Sequence, residues 1–235
     1  MASQLRNFTT VIKKLGGRDK VNKWIQYQAK LLFYILTQMD YDKSTANKFK
    51  SLSSGISNAR KVDRLLKSSI EVQKALDAIN NNKADEFAKY LTIISALCYA
   101  AYWWTDNKIF LSRIKVLDNV DVKATSIRGH KYWLVGLLIV MYLFVGKMNK
   151  LYAQRRELQS SNDDNDNQKA IREIDNDLYL KRIQFIGYCC DVLVALNNSE
   201  YIIKIKGSKL NDGQYGLVGL ISATTVLYRM WPATR

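Results

Sequence analysis

Proline occurs once in these 235 residues, at position 232, and glycine only eleven times. Proline removes a backbone donor and glycine carries the largest ordering cost, so both punctuate helices and supply turns. A chain nearly free of them is poorly equipped for a turn-rich all-β fold. It is well equipped for long helices. The hydrophobic fraction, 48%, is too high for a disordered basic tail.

Charge narrows the partners. Lys and Arg total 36 against 21 Asp and Glu, a net +15 at pH 7. Such a chain is drawn to something anionic: nucleic acid, a membrane surface or an acidic partner. Three cysteines, Cys98, Cys189 and Cys190, form no even disulfide framework and suit a reducing compartment. The opening MASQLRNFTTVIKKLGG has no apolar run and does not read as a secretory signal. The ending Pro232-Ala233-Thr234-Arg235 is not the Ser-Lys-Leu peroxisomal address.

Periodicity predicts a helix over Arg18–Met39, with Val21, Trp24, Ile25, Leu32, Ile35, Leu36 and Met39 on one face. Lys20, Lys23 and Lys30 fall on its flank, and Gly16-Gly17 closes whatever precedes it. A second helix is predicted over Asn47–Ile79. Its apolar sector contains Ile56, Ala59, Val62, Leu65, Leu66, Ile70, Val72 and Leu76. Arg60, Lys61, Arg64, Lys67 and Lys74 lie opposite. The run Asn80-Asn81-Asn82 should end it.

Beyond residue 85 the character changes. Tyr90–Thr105, Tyr132–Gly146 and Gly213–Tyr228 carry no charge. A run of about 16 residues makes roughly 24 Å of helix, against a hydrocarbon core of about 30 Å. Mean hydropathy is only −0.21. Buried helices of a soluble bundle are therefore one reading of these runs. Trp103, Trp104, Trp133 and Trp231 at their ends, with Lys131, Lys147 and Arg229 beside them, favour a membrane interface. Gly213, Gly216, Gly219 and Ala223 form a small-residue stripe suited to close helix packing. Asp118–Gly129 is expected to be a loop, Ser160–Gln168 an acidic solvated loop, and Ser208–Asp212 a turn.

No catalytic constellation, phosphate loop or dinucleotide fingerprint is present, so neither an enzyme nor a cofactor is expected. His130 stands without a nucleophile or acid at a known spacing. With the three cysteines it matches no zinc pattern. Asp106 and Asp191 interrupt apolar runs and could line a polar path. A helix end or a loop would also accommodate each.

Four stretches, in order, resemble the peroxin-11 family of peroxisomal membrane proteins. They are Gly17-Arg18-Asp19-Lys20-Val21 running into Ile25-Gln26-Tyr27, the basic helix Ser57–Lys67, the region Trp103-Trp104-Thr105-Asp106 with Phe110-Leu111-Ser112-Arg113, and Gly216–Ser222 with Leu227, Tyr228 and Trp231. The acidic insert near Asp163 and the apolar Tyr132–Gly146 depart from that pattern. The resemblance implies a protein of the peroxisomal membrane, both termini cytosolic, that elongates and divides the organelle. It implies self-association, and recruitment of a dynamin-related GTPase and its tail-anchored adaptor. A solute pore for small metabolites is the alternative it offers.

The expected fold is all-α: a cytosol-facing region of amphipathic helices over 1–85, then a membrane-embedded helical bundle over 86–235. The expected mechanism sets the basic face on an anionic phospholipid leaflet and inserts the apolar face as a wedge. Self-association is expected through faces such as the Gly213–Ala223 stripe. Nothing resembling a recognition helix or stacking platform accompanies the charge, so nucleic acid is not expected as a partner.

Overall fold

The computed structural model describes residues 2–81, 85–160 and 165–232. Among the described residues every regular element is helical. The order is α1 (Ala2–Ile12), α2 (Leu15–Gln38), α3 (Lys43–Val62), α4 (Lys67–Asn80), α5 (Glu86–Arg113), α6 (Val122–Ser160), α7 (Asn165–Asn198), α8 (Tyr201–Lys206) and α9 (Asp212–Met230).

Local chemistry sets most of the ends. Asp42 caps α3 by accepting from the Ser44 and Thr45 amides, and Asp85 caps α5 through the Ala88 amide. Asn211 and Gln214 form a reciprocal capping box at α9. Each cap satisfies amides that the first helical turn cannot.

Several expected boundaries move. The predicted helix over Asn47–Ile79 is two helices, broken at Leu66, whose φ of +59° no continuous helix allows. Tyr90–Thr105 and the pattern after Ile109 merge into α5, because Asp106, Asn107 and Lys108 stay helical inside it. The loop predicted for Asp118–Gly129 is shorter, since Asp121 caps the Ala124 amide and α6 starts at Val122. Gly16 and Gly17 lie inside the first turn of α2, not after a helix end. A Cβ on Gly17 would meet the Val11 carbonyl oxygen at 1.9 Å, so only glycine lets α1 fold back this closely. Of the predicted acidic loop, residues 161–164 lie outside the described residues, and Asn165–Gln168 open α7.

The long helices pack as a ring. α2 lies against α9, α9 against α7, α7 against α6, and α6 against α5. α3 closes the ring by touching both α5 and α2, and α4 lies along α5. The helices before residue 85 are thus staves of the same bundle as those after it. α9 approaches α2 through its small residues: a Cβ at Gly213, Gly216 or Gly219 would meet Tyr34, Leu31 or Tyr27 at 2.4, 2.9 and 2.1 Å. Ala223 in the same row is fully buried.

The ring holds a cluster of charge inside and leaves many large apolar side chains outside. Asp19, Lys23, Arg60, Lys61, Arg64 and Asp106 are buried. Leu66, Ile70, Leu97, Trp104, Leu138 and Tyr142 are exposed. α6 is long and apolar enough to cross a bilayer, yet only 22% of its most apolar 18-residue window is buried. A core helix of a water-soluble protein would hide that surface.

Candidate functional site

Two surfaces stand out: the charged interior of the ring and a run of exposed apolar side chains from Val62 through α4. The segment expected to be one amphipathic helix contributes to both.

The interior is organised around three carboxylates, each on a different helix. Asp19 of α2 accepts from Arg60 Nε at 2.9 Å, and Arg60 Nη1 donates to Gln26 Oε1 at 2.6 Å. Asp106 of α5 accepts from Lys61 and pairs with Arg64 Nη2 at 3.2 Å. Asp191 of α7 accepts from Lys23 Nζ at 2.8 Å. Burial alone would raise the Asp19 carboxyl, but Arg60, Lys20 and Arg64 hold it well below the usual carboxylate range. Burial pushes the Lys61 amine down, against the opposing pull of Asp106. Lys67 sits 4.4 Å over the Trp103 ring. Burial lowers its amine to about 8, assisted by the Lys20 and Arg64 charges.

These groups surround a cavity of about 330 Å³ to which α2, α3, α5, α6, α7 and α9 all contribute. Its aromatic wall includes Tyr102 stacked on Trp133, with centroids 5.4 Å apart. His130 is satisfied at both nitrogens, by the Ser126 carbonyl oxygen at 2.7 Å and by Asn198 Nδ2 at 3.1 Å. Among the described residues no group of three or more His, Cys, Asp or Glu could hold a metal ion.

The residues expected to form a lipid-facing basic face are therefore divided. Arg60, Lys61 and Arg64 point inward, because Asp19 and Asp106 supply counter-charges there that water or lipid would otherwise supply. They are not available to a leaflet. Lys67 is half-buried against Trp103, and Lys74 is exposed, paired with Glu71 at 2.9 Å. The expected apolar face is mostly outward. Leu66 is 75% exposed and Ile70 55%, and Ala59, Val62, Leu65, Val72 and Leu76 are exposed with them. Ile56 is half-buried. A shallow groove between α4 and α5 continues this surface, lined by Val72, Leu76, Ala100 and Trp104.

Asp106 and Asp191 do line the polar interior, and both lie within helices, so neither the helix-end nor the loop explanation applies. Of the stripe Gly213, Gly216, Gly219 and Ala223, the three glycines pack against α2 within the chain, and Ala223 is fully buried in the same row. Asp19, Lys23, Gln26 and Tyr27 were not legible as site residues. Their signal was a narrow polar stripe at three- to four-residue spacing. The same spacing recurs in Ser57, Arg60, Lys61 and Arg64 and in Tyr99, Tyr102, Trp103 and Asp106.

Comparison with known proteins points to a family of the peroxisomal membrane. The model of the family described as Peroxisomal biogenesis factor 11 (PEX11) matches residues 5–231. The chain is 26% identical to "Peroxisomal membrane protein 11 homolog" of Dictyostelium discoideum, covering 97% of this chain and 94% of that protein. It is 25% identical to "Peroxisomal membrane protein PMP30B" of Candida boidinii, over 94% of this chain and 91% of the relative. "Peroxisomal membrane protein 11B" of Arabidopsis thaliana is likewise 25% identical, over 94% and 95%. No solved structure matches. With a family match over nearly its whole length, the chain belongs to the PEX11 family of peroxisomal membrane proteins.

Proposed function

We propose that the protein remodels the peroxisomal membrane, elongating it ahead of division, without catalysing a reaction. One observation carries this reading: α4 and its N-cap leave a large apolar surface exposed, with Leu66, Ile70, Val72, Leu76 and Ile79 outward among the polar Gln73, Lys74 and Asp77. Apolar surface left in water costs roughly 25 cal/mol per Å², so this surface favours lipid. α4 has 14 residues. At 1.5 Å each that is about 21 Å, short of a hydrocarbon core of about 30 Å. It therefore fits within one leaflet only, and area added to one leaflet bends the bilayer. The wedge does not depend on Arg60, Lys61 and Arg64. The net charge of +15 and outward lysines such as Lys43 and Lys48 supply the attraction to anionic phospholipid.

The full-length protein reconstituted into anionic liposomes tests this by electron microscopy. Tubules are expected from the wild type and not from Ile70→Ser/Val72→Ser/Leu76→Ser, with helical content and membrane incorporation unchanged. Wild-type tubulation by the triple variant would refute the wedge. Self-association, if it accompanies elongation, uses an outer face and not the glycine stripe that α2 occupies. Recruitment of a dynamin-related GTPase and a tail-anchored adaptor would then complete division. Cytosolic placement of both termini requires an even number of crossings, so α6 would need a second crossing helix. Protease protection of tagged termini on intact peroxisomes checks that count.

The charged cavity favours a second reading, a channel for small metabolites. Conductance in planar bilayers that falls in Asp106→Ala or Asp191→Ala would support it. Silence from correctly inserted protein would remove it.

A further inference from the structure

The interior cavity has a neighbour. A second cavity, of about 360 Å³, shares Gln26, Ser57, Arg113 and Tyr215 with the first, so the two adjoin across these side chains. Lys30, Lys50 and Arg113 stand around the second cavity, with Asp212 as its carboxylate. Lys30 pairs with that carboxylate at 2.8 Å. Arg113 is exposed and is held by Asn58.

The charges do not balance inside. Lys23, Arg60, Lys61 and Arg64 are buried cations on the inner wall, against Asp19, Asp106 and Asp191. Lys20 and Arg113 at the rim widen the surplus. Each carboxylate is already paired, two of them with more than one cation. A surplus cation in a low-dielectric interior is costly unless an anion or water meets it. A second observation bears on the same cavity. Trp103 is 9% exposed and lines it, and its indole Nε1–H has no hydrogen-bond partner. The other orphan on the lining, Asp106 Oδ2, lacks a hydrogen bond but has the Arg64 guanidinium 3.2 Å away. The indole N–H only donates, so what it lacks is an acceptor. The lining also offers stacked aromatic surface from Tyr102 and Trp133.

We propose that the adjoining cavities form a binding site for a compact oxyanion, a phosphate or carboxylate carrying a small apolar or aromatic body. It enters past Arg113 and is held by the inner cations and the Trp103 indole. The inner volume of about 330 Å³ suits a ligand at the small end of the usual range. The site stands whether or not the protein bends or conducts through membranes. The same oxyanion chemistry is offered by a soluble metabolite and by a lipid headgroup.

Calorimetry on the full-length protein in nanodiscs tests the site, with phenyl phosphate and inorganic phosphate as probes and phenol as the neutral control. Saturable binding of phenyl phosphate is expected, and none of phenol. Arg113→Gln, at the exposed mouth, should weaken binding about tenfold, the scale of a lost charge-assisted hydrogen bond. Trp103→Phe keeps a ring, removes the orphan donor and should weaken binding several-fold. Discs of phosphatidylcholine alone and discs containing phosphatidic acid separate the sources. Loss of phenyl phosphate binding only in the second identifies a headgroup as occupant, and equal binding in both identifies a soluble anion. Either result supports the site. No saturable binding of either anion to the wild type would overturn it, as would wild-type affinity in both variants.

Discussion

Lys23 and Asp191 are 168 residues apart in sequence and form a 2.8 Å ion pair between α2 and α7. Ser222 of α9 completes the triangle, accepting from Lys23 Nζ at 2.6 Å and donating to Asp191 Oδ1 at 2.5 Å. Three staves of the ring are thereby fastened at one level by polar groups, where a water-soluble bundle would use apolar ones. Removing one partner leaves the other charge buried and unmatched. Lys23→Met or Asp191→Leu should each cost about 3–5 kcal/mol, and the double variant should recover most of it. Thermal unfolding in detergent, run as a double-mutant cycle, measures this.

The glycines divide into two kinds with opposite expected outcomes. Gly219 packs against the Tyr27 ring, where a Cβ would sit 2.1 Å from ring carbon. Gly219→Val should therefore separate α9 from α2 and cost about 1–3 kcal/mol. Gly146 in α6 has nothing within 4 Å of a Cβ. Gly146→Ala should stabilise the helix by about 0.5–1 kcal/mol. Shifts of opposite sign in the unfolding midpoint check both at once.

Lys67 gives a pH dependence of definite sign. Burial lowers its amine to about 8, so the folded protein binds fewer protons than the unfolded chain between about pH 8 and the free-lysine value near 10.4. Stability should therefore rise across that window and be insensitive to this group well below pH 8. The gain in melting midpoint between pH 8 and pH 10 should be smaller in Lys67→Met than in the wild type. Equal gains would show that Lys67 keeps its ordinary basicity.

Neighbouring leucines of α6 should respond differently to polarity. Leu138 is half exposed on the outer face, and Leu137 is 1% exposed beside the cavity. A carboxylate in the hydrocarbon core costs about 2.5–3.5 kcal/mol on insertion scales. Leu138→Asp should lower the fraction of protein that resists alkaline carbonate extraction from membranes. Leu137→Ala should leave that fraction unchanged while costing about 2–5 kcal/mol of stability through a cavity.

Much of the helical layout is readable from local signals. Asp42, Asp85 and Asn211 sit where caps belong, and the single proline follows the last helix. The break at Leu66 had no such signal. Lys61–Ser69 carries neither glycine nor proline, and a left-handed leucine is imposed by fitting α3 to α2 and α4 to α5. The merging of two patterns into α5 was hidden for a related reason. Asp106 interrupts the hydropathy of the segment but not its backbone, because Lys61 and Arg64 satisfy it from another helix. Of the candidate site, Asp106 and Asp191 were visible as charges out of place, whereas Asp19 and Lys23 merged into an ordinary basic stretch.

By itself the sequence determined that this chain is helical, that its helices are two-sided, and that it resembles a peroxisomal membrane family. Those properties reside in propensity, periodicity and local motifs, all of which act within a few turns. Which side of each helix faces inward was decided only by the tertiary structure. An amphipathic pattern defines an axis between an apolar and a polar face but says nothing about which end of that axis points to the protein. Arg60, Lys61 and Arg64 turn inward because Asp19 and Asp106, 41 and 45 residues away from their partners, are held opposite them by α2 and α5. Once those charges are matched inside, Leu66, Ile70 and Leu76 are left outside, where a membrane can take them up.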